Sequence, residues 1–301
     1  MTTGLVRTVR GDLDPAELGV CDAHDHLFFR SALLPGQELD DVPAAAAELA
    51  AFHAAGGRAV VQWTPHGLGR RAAELPALSE AAGVHLVAAT GLHRAAHYPE
   101  LPDPERWAEL FTAELTTGIG PDGPKAGLIK VAGGFHGLDA HARRTMAAAA
   151  AAHHATGAPI AVHHELGSAA TEVLELLCGR LEVPPHRVLL GHLNRFPDSW
   201  VHRELASSGA FLAFDGPSRA NAATDWRLLD SLRELVEAGH GGQLLLGGDT
   251  VTAAARSTAD GPGMPFLLTG LRPRIAALLG EPVAELILRE NPARAFAVDW
   301  R

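Results

Sequence analysis

The chain has 301 residues, a formal net charge of −10, and 47% hydrophobic against 20% charged residues. That length can bury a large core, and the acidic balance argues against the basic face that a general nucleic-acid partner requires. Cys21 and Cys178 stand far apart and outside any CxxC pattern, so neither a disulfide framework nor a cysteine zinc site is expected. The opening "MTTGLVRTVRGDLDPAELG" lacks an apolar signal core, and no later stretch approaches the roughly 18–20 apolar residues of a membrane span. The expectation is a cytoplasmic protein.

In chain order, residues 19–23 form the first predicted strand, which runs into "DAHDH", and a helix follows over 43–55. Strands at 59–62 and 86–89 come next, the second leading through "TGLHRAAHYPE" to a helix at 103–116. A strand at 127–131 carries Lys130 and is followed by an alanine-rich helix at 140–156. The strand at 159–162 closes on "AVHHE" before a helix at 169–181, and the strand at 187–190 closes on "LLGH". Strand 210–214 precedes "FDGPSRANAATDW" and helix 225–238; strand 243–246 closes on "LLGGD" before a final helix at 265–279. Eight strands alternating with helices, with no polar linker between them, predict a single-domain α/β chain over 1–301, a (β/α)8 TIM barrel. An open doubly wound sheet is the competing architecture, but no GxGxxG follows the first strand.

The carboxyl ends of barrel strands surround one mouth, where barrel active sites lie. Five strand ends carry polar residues there: His24 and His26, Lys130, His163 or His164, His192, and Asp249. Alternation along a strand puts residues i and i+2 on one face, so His24 and His26 can reach one ion together. Four imidazoles and a carboxylate suit Zn²⁺, Mn²⁺ or Co²⁺ and exceed the needs of one tetrahedral site, so two divalent ions are expected. Lys130 is the anomaly: Lys125 and Lys130 are the only lysines among 25 Lys plus Arg, and Lys130 interrupts a buried apolar run. Its amine can add carbon dioxide to form a carbamate with one oxygen for each metal, chemistry closed to a guanidinium. A lysine that snorkels to water or pairs with a carboxylate is the plain structural reading.

The motifs "TVRGDLDPAELGVCDAHDHL", "AGLIKVA", "GAPIAVHHELG", "VLLGH", "LLLGGD" and "NPARAF", from Thr8 to Phe296, resemble in order those of the phosphotriesterase family of the amidohydrolase superfamily. The resemblance implies a (β/α)8 barrel with a binuclear metal centre bridged by an N6-carboxylated lysine and a hydroxide. Carried onto this chain, His24, His26 and Asp249 hold one metal, His163 and His192 the other, and Lys130 bridges, with zinc the leading metal. His164 is then a packing residue. Asp249 accepts the nucleophile's proton and passes it to the leaving group. Imidazole ligands must be neutral, so metal loss is expected as pH falls through about 6.5.

Substrate contacts are expected in the strand-to-helix loops: His93, Arg94, His97 and Tyr98 after the third strand, His136 after the fourth, Arg219 after the seventh and Arg256 after the eighth. Glu165 is placed to orient a ligand imidazole or to cap the next helix. "FDGPSR" and "GPG" look closer to the lactonase-like branch than to organophosphate hydrolases. Relatives acting on phosphorylated sugar lactones continue "GPSR" with a Lys-Tyr pair, where this chain has "ANAATD". The expectation is hydrolysis of a polar or sugar-derived lactone, a small-molecule substrate without nucleic-acid or membrane partners, with homodimer formation left open. Phosphotriester hydrolysis, an amidase or deaminase on the same scaffold, and a non-catalytic barrel are the alternatives.

Overall fold

The computed structural model describes residues 4–216 and 223–301. Among them, eight parallel strands pair in sequence order: β1 (Cys21–Asp25), β2 (Ala59–Gln62), β3 (His85–Gly91), β4 (Leu128–Ala132), β5 (Ile160–His163), β6 (Val188–Leu190), β7 (Phe211–Asp215) and β8 (Leu244–Gly247). Helices cover them outside: α1 (Val42–Ala54), α2 (Leu75–Ala82), α3 (Trp107–Thr116), α4 (Ala140–Thr156), α5 (Ala170–Leu174), α6 (Ser199–Ser207), α7 (Leu228–Glu237) and α8 (Arg272–Leu279). This is the expected barrel. Among the described residues, no helix is long and apolar enough to cross a membrane.

Period-two patterning sorts the strand residues into two packed layers. Ala23, Val61, Val87, Leu128, Ala161, Leu189 and Leu245 fill the interior. Their neighbours, such as Ile129, Val131, Ile160 and Val162, face the helices. In β4 this alternation places Lys130 on the interior side, two residues beyond Leu128. In β1 the pairing with β2 steps from Asp22↔Val60 to Asp25↔Gln62, so β1 carries one extra residue. Such a bulge re-aims side chains at a barrel rim, and here Ala23 stays inside while His24 and His26 both reach the mouth.

The sequence reading missed several elements. An antiparallel sheet of Leu5–Thr8, Gly11–Leu13 and Ala297–Val298 packs beneath the barrel, with Val9 N–H donating to Leu86 O at 2.8 Å. These strands are too short and mixed for a periodic signal. Helices α2 and α6 were also absent from the expected set, α2 spanning only eight residues. The helix expected at 169–181 changes after Leu174 to a π-turn over Glu175–Arg180. That at 265–279 likewise begins with a π-turn, Leu267–Leu271.

Among the described residues no ladder joins β8 to β1; two carboxylates and one backbone hydrogen bond close that seam. Asp22 accepts the Gly248 N–H at 3.2 Å, Asp25 accepts the Thr250 N–H at 2.9 Å, and Asp249 N–H donates to His24 O at 3.0 Å. Gly91 serves the opposite wall. Its φ is +99°, and an added Cβ would lie 2.1 Å from Lys130 O, a backbone atom that cannot yield. Gly91→Ala is therefore expected to destabilise the fold by about 3 kcal/mol or more, measured by urea unfolding.

Candidate metal centre

The strand ends surround a cavity of about 290 Å³ at the barrel mouth, and all six residues expected to hold metal line it: His24, His26, Lys130, His163, His192 and Asp249. Several occupy conformations set by the sharp exit from each strand. His192 and Asp249 both have left-handed backbones, at φ 63° and 51°. Non-glycine residues pay strain there, and such strain is typical of functional sites.

Hydrogen bonds fix which ring nitrogen each imidazole presents. His24 Nδ1 meets Asp215 Oδ1 at 2.9 Å, and His192 Nδ1 meets Asp215 Oδ2 at 2.5 Å. An ionised carboxylate only accepts, so both imidazoles carry their proton on Nδ1 and keep the Nε2 lone pair free. Thr64 Oγ1 donates its single proton to Phe28 O at 2.6 Å, so it must accept from His26 Nδ1 at 2.7 Å, with the same result. His163 is reversed: Nε2 donates to Glu165 Oε2 at 3.2 Å, which leaves Nδ1 as its lone pair. Glu165 is itself held by Arg94 Nη1 at 2.5 Å. The Trp63 ring stacks on His24 at 3.8 Å.

Burial keeps His26, His163, His192 and His93 neutral. Desolvation lowers His26 to about 4 and His163 to about 3, and puts His192 and His93 well below their usual value. Burial also lowers the Lys130 amine to about 7, and among the described residues no carboxylate lies within ion-pair distance of it. Burial by itself would raise Asp249, but Arg195, whose Nη2 donates to Oδ2, and the neighbouring His192 hold it well below the carboxylate range. Glu165 is held down to about 2, first by its hydrogen bond to His163. At the seam, burial pushes Asp25 up to about 6 and Asp22 further, with Asp25 adding to the shift at Asp22.

The donor geometry fits a cation. Asp249 Oδ1 lies 3.5 Å from both His24 Nε2 and His26 Nε2, too far for hydrogen bonds. Two ligands of a tetrahedral ion at bond lengths of about 2.1 Å stand roughly 3.4 Å apart, which these separations match. A second trio, His24, His192 and Asp215, has donor atoms within 4.8 Å of one another, but its short contacts are the Nδ1 hydrogen bonds above. The His163 and His192 rings stand 4.4 Å apart, centroid to centroid, beside Lys130.

The loop residues divide. His93 and His97 line the cavity, stacked at 4.1 Å, together with Arg94 and Glu165. Tyr98 does not: its buried hydroxyl accepts the His93 N–H at 2.8 Å and so braces the loop from behind. Arg256 is buried outside the cavity with Nη2 on Leu27 O, where it ties the last loop to the first. His136 points to Phe135 and Phe196 on the rim. Arg219 lies outside the described residues. His164 is fully buried away from the cavity, with Nδ1 on Ser168 O at 3.1 Å.

Sequence reasoning missed Asp215 and Arg195, and an apolar wall of Phe29, Leu33, Leu34 and Val251. Asp215 directly follows Phe214 at the end of a predicted strand, the same position that singled out His24 and His163. That signal was available.

The phosphotriesterase family model matches residues 4–296. A phospho-furanose lactonase of Mycoplasmopsis agalactiae is 31% identical over 248 residues, 75% of this chain and 70% of that protein. The crystal structure of a lactonase from Listeria monocytogenes aligns with a TM-score of 0.91 at 26% identity, covering 98% of this chain and 99% of the other. A phosphotriesterase homology protein from Escherichia coli, with phosphate in its active site, aligns with a TM-score of 0.88 at 25% identity over 93% and 99%. The chain belongs to the phosphotriesterase family and is a hydrolase.

Three outcomes follow from this geometry. Asp215→Asn removes the acceptor that fixes His24 and His192, and should weaken divalent-cation binding roughly 10–100-fold in chelator competition. Buried His26 and His164 and half-buried His97, each lowered to about 4 by desolvation, take up protons in the unfolded chain before the folded one. Stability of the metal-free protein is therefore complete above about 6.5 and falls as pH drops toward 4, to be followed by thermal melts in chelator. Loss of metal from the folded protein should shift likewise, from the 6.5 expected of free histidine toward 4.

Proposed function

We propose that this phosphotriesterase-family hydrolase is a metal-dependent lactonase that opens a polar, sugar-derived lactone. The observation that carries the reading is the convergence of four imidazoles, Asp249 and a buried Lys130, without an ion pair among the described residues, on one cavity. His24, His26 and Asp249 would hold one divalent cation, and His163 and His192 the second. Zinc suits the imidazole-rich set, with manganese or cobalt as substitutes. When bound, the cations supply an acidified water as nucleophile and Lewis-acid stabilisation of the substrate's carbonyl oxygen.

The chain's own groups do the rest. A Lys130 amine at about 7 is substantially unprotonated at neutral pH. The free amine would attack carbon dioxide, its lone pair forming the N–C bond as a C=O π pair moves onto oxygen and a proton leaves to water, and the resulting carbamate would supply the anion that two neighbouring cations call for. Asp249 accepts the proton released as water adds to the carbonyl carbon, and returns it to the ring oxygen as the C–O bond breaks. His93, His97 and Arg94 offer polar contacts to ring hydroxyls, while Phe29, Leu33, Leu34 and Val251 add apolar lining against the ring. A cavity of about 290 Å³ suits a single ring with small substituents.

That apolar wall also favours a second reading, hydrolysis of an apolar phosphotriester. A panel on zinc-reconstituted protein separates the two: furanose lactones with and without a phosphate, a neutral aryl phosphotriester, and an N-acyl amide. The expected outcome is kcat/KM for a lactone at least about 100-fold above the triester and the amide, a gap of about 2.7 kcal/mol. A triester turned over faster than every lactone would overturn the assignment. Lys130→Ala and Lys130→Arg should each lose bound metal and at least about 100-fold in rate. Full activity in the arginine variant would exclude the carbamate.

A further inference from the structure

Arg195 lines the cavity, yet the roles above leave it unused. It ends the turn Leu193–Arg195, which the left-handed backbone of His192 folds back over the mouth, with Arg195 N–H on His192 O at 3.0 Å. Its Nη2 donates to Asp249 Oδ2 and stands 3.7 Å from Asp215 Oδ2. One guanidinium after β6 thus reaches the carboxylates that end β7 and follow β8. Arg94, the other arginine lining the cavity among the described residues, is engaged by Glu165.

The two oxygens of Asp249 are divided in consequence. Oδ2 faces Arg195, and Oδ1 sits 3.5 Å from both His24 Nε2 and His26 Nε2. The terminal torsion of an aspartate is broad and nearly two-fold, so an unheld carboxylate can turn and exchange its oxygens. A planar guanidinium restrains that rotation, whereas an ammonium acts only as a point charge.

We propose that Arg195 is a positioning residue for Asp249: by holding Oδ2 it presents Oδ1 to the cation position and keeps the carboxylate oriented for proton exchange with the reacting water. The inference rests on the metal-dependent reading above. It has a second consequence: without metal, Arg195 is the cation that offsets Asp249 and Asp215, and a bound cation takes over part of that task.

Arg195→Gln and Arg195→Lys test this in two assays. Melting of chelator-treated and zinc-loaded protein should show Arg195→Gln lowering Tm by about 3 °C or more without metal, and by less than half as much with zinc. In zinc-loaded protein hydrolysing a furanose lactone, Arg195→Gln should lower kcat roughly 30-fold with KM within about 3-fold. Bound zinc, by elemental analysis, should not change, and Arg195→Lys should regain part of the rate. Unchanged kcat in Arg195→Gln, loss of zinc in step with kcat, or an equal fall in Tm with and without zinc would each overturn the proposal. If the unaltered protein opens no lactone, the functional reading fails by itself, and the melting comparison alone decides the role of Arg195.

Discussion

A buried carboxylate at the end of β7 governs the mouth of this barrel. Asp215 accepts a hydrogen bond from His24 on β1 and another from His192 after β6, and so fixes two imidazoles from distant parts of the chain. Each ring then has its proton facing the protein and its lone pair facing the cavity. Thr64 imposes the same order on His26, and Glu165 imposes the reverse order on His163. Imidazole chooses its tautomer by the partner of its other nitrogen. A cluster of histidines without such partners would present a mixture of donors and acceptors.

Desolvation completes what the tautomers begin. Removing water lowers the histidines and the lysine alike, so a site rich in basic groups carries little positive charge at neutral pH. Among the described residues lining the cavity, negative charge lies on Asp249, beside the Arg195 guanidinium, and on Glu165, beside Arg94. Such a balance leaves room for divalent cations and for the anion that a carboxylated Lys130 would add between them. The seam between β8 and β1 belongs to the same arrangement. Asp22 and Asp25 accept backbone N–H groups of Gly248 and Thr250, so the bonds that close the barrel also fix the turn that carries Asp249.

The comparison with relatives bears most on the loops. The lactonase of Listeria monocytogenes shares the whole barrel at 26% identity, whereas the strand-end residues here form a tight, mutually bonded set. Loops over such a scaffold can change without disturbing the centre. In this chain the loop after β3 brings His93, Arg94 and His97 to the cavity and uses its one tyrosine as a brace. The loop after β1 supplies an apolar cover instead. The resulting cavity is lined by both polar and apolar side chains.

The sequence by itself determined the barrel and the place of its chemistry, because both depend on local rules. Alternating apolar strands and helices specify the layers, and polar residues at strand ends specify the mouth. Lys130 was conspicuous because a lone ammonium in an apolar strand conflicts with its surroundings. The tertiary structure decided what local rules cannot express. The bulge in β1 that turns both His24 and His26 inward depends on pairing with β2. The bonds of Asp215 to residues 191 and 23 positions away depend on barrel closure. Arg256 and Tyr98 look alike to His97 in sequence, as polar residues in loops at the mouth. Only packing shows that Arg256 is tied to Leu27 O and Tyr98 to the His93 N–H, because a long side chain takes the nearest unsatisfied backbone group, and that group is brought near by folding rather than by sequence.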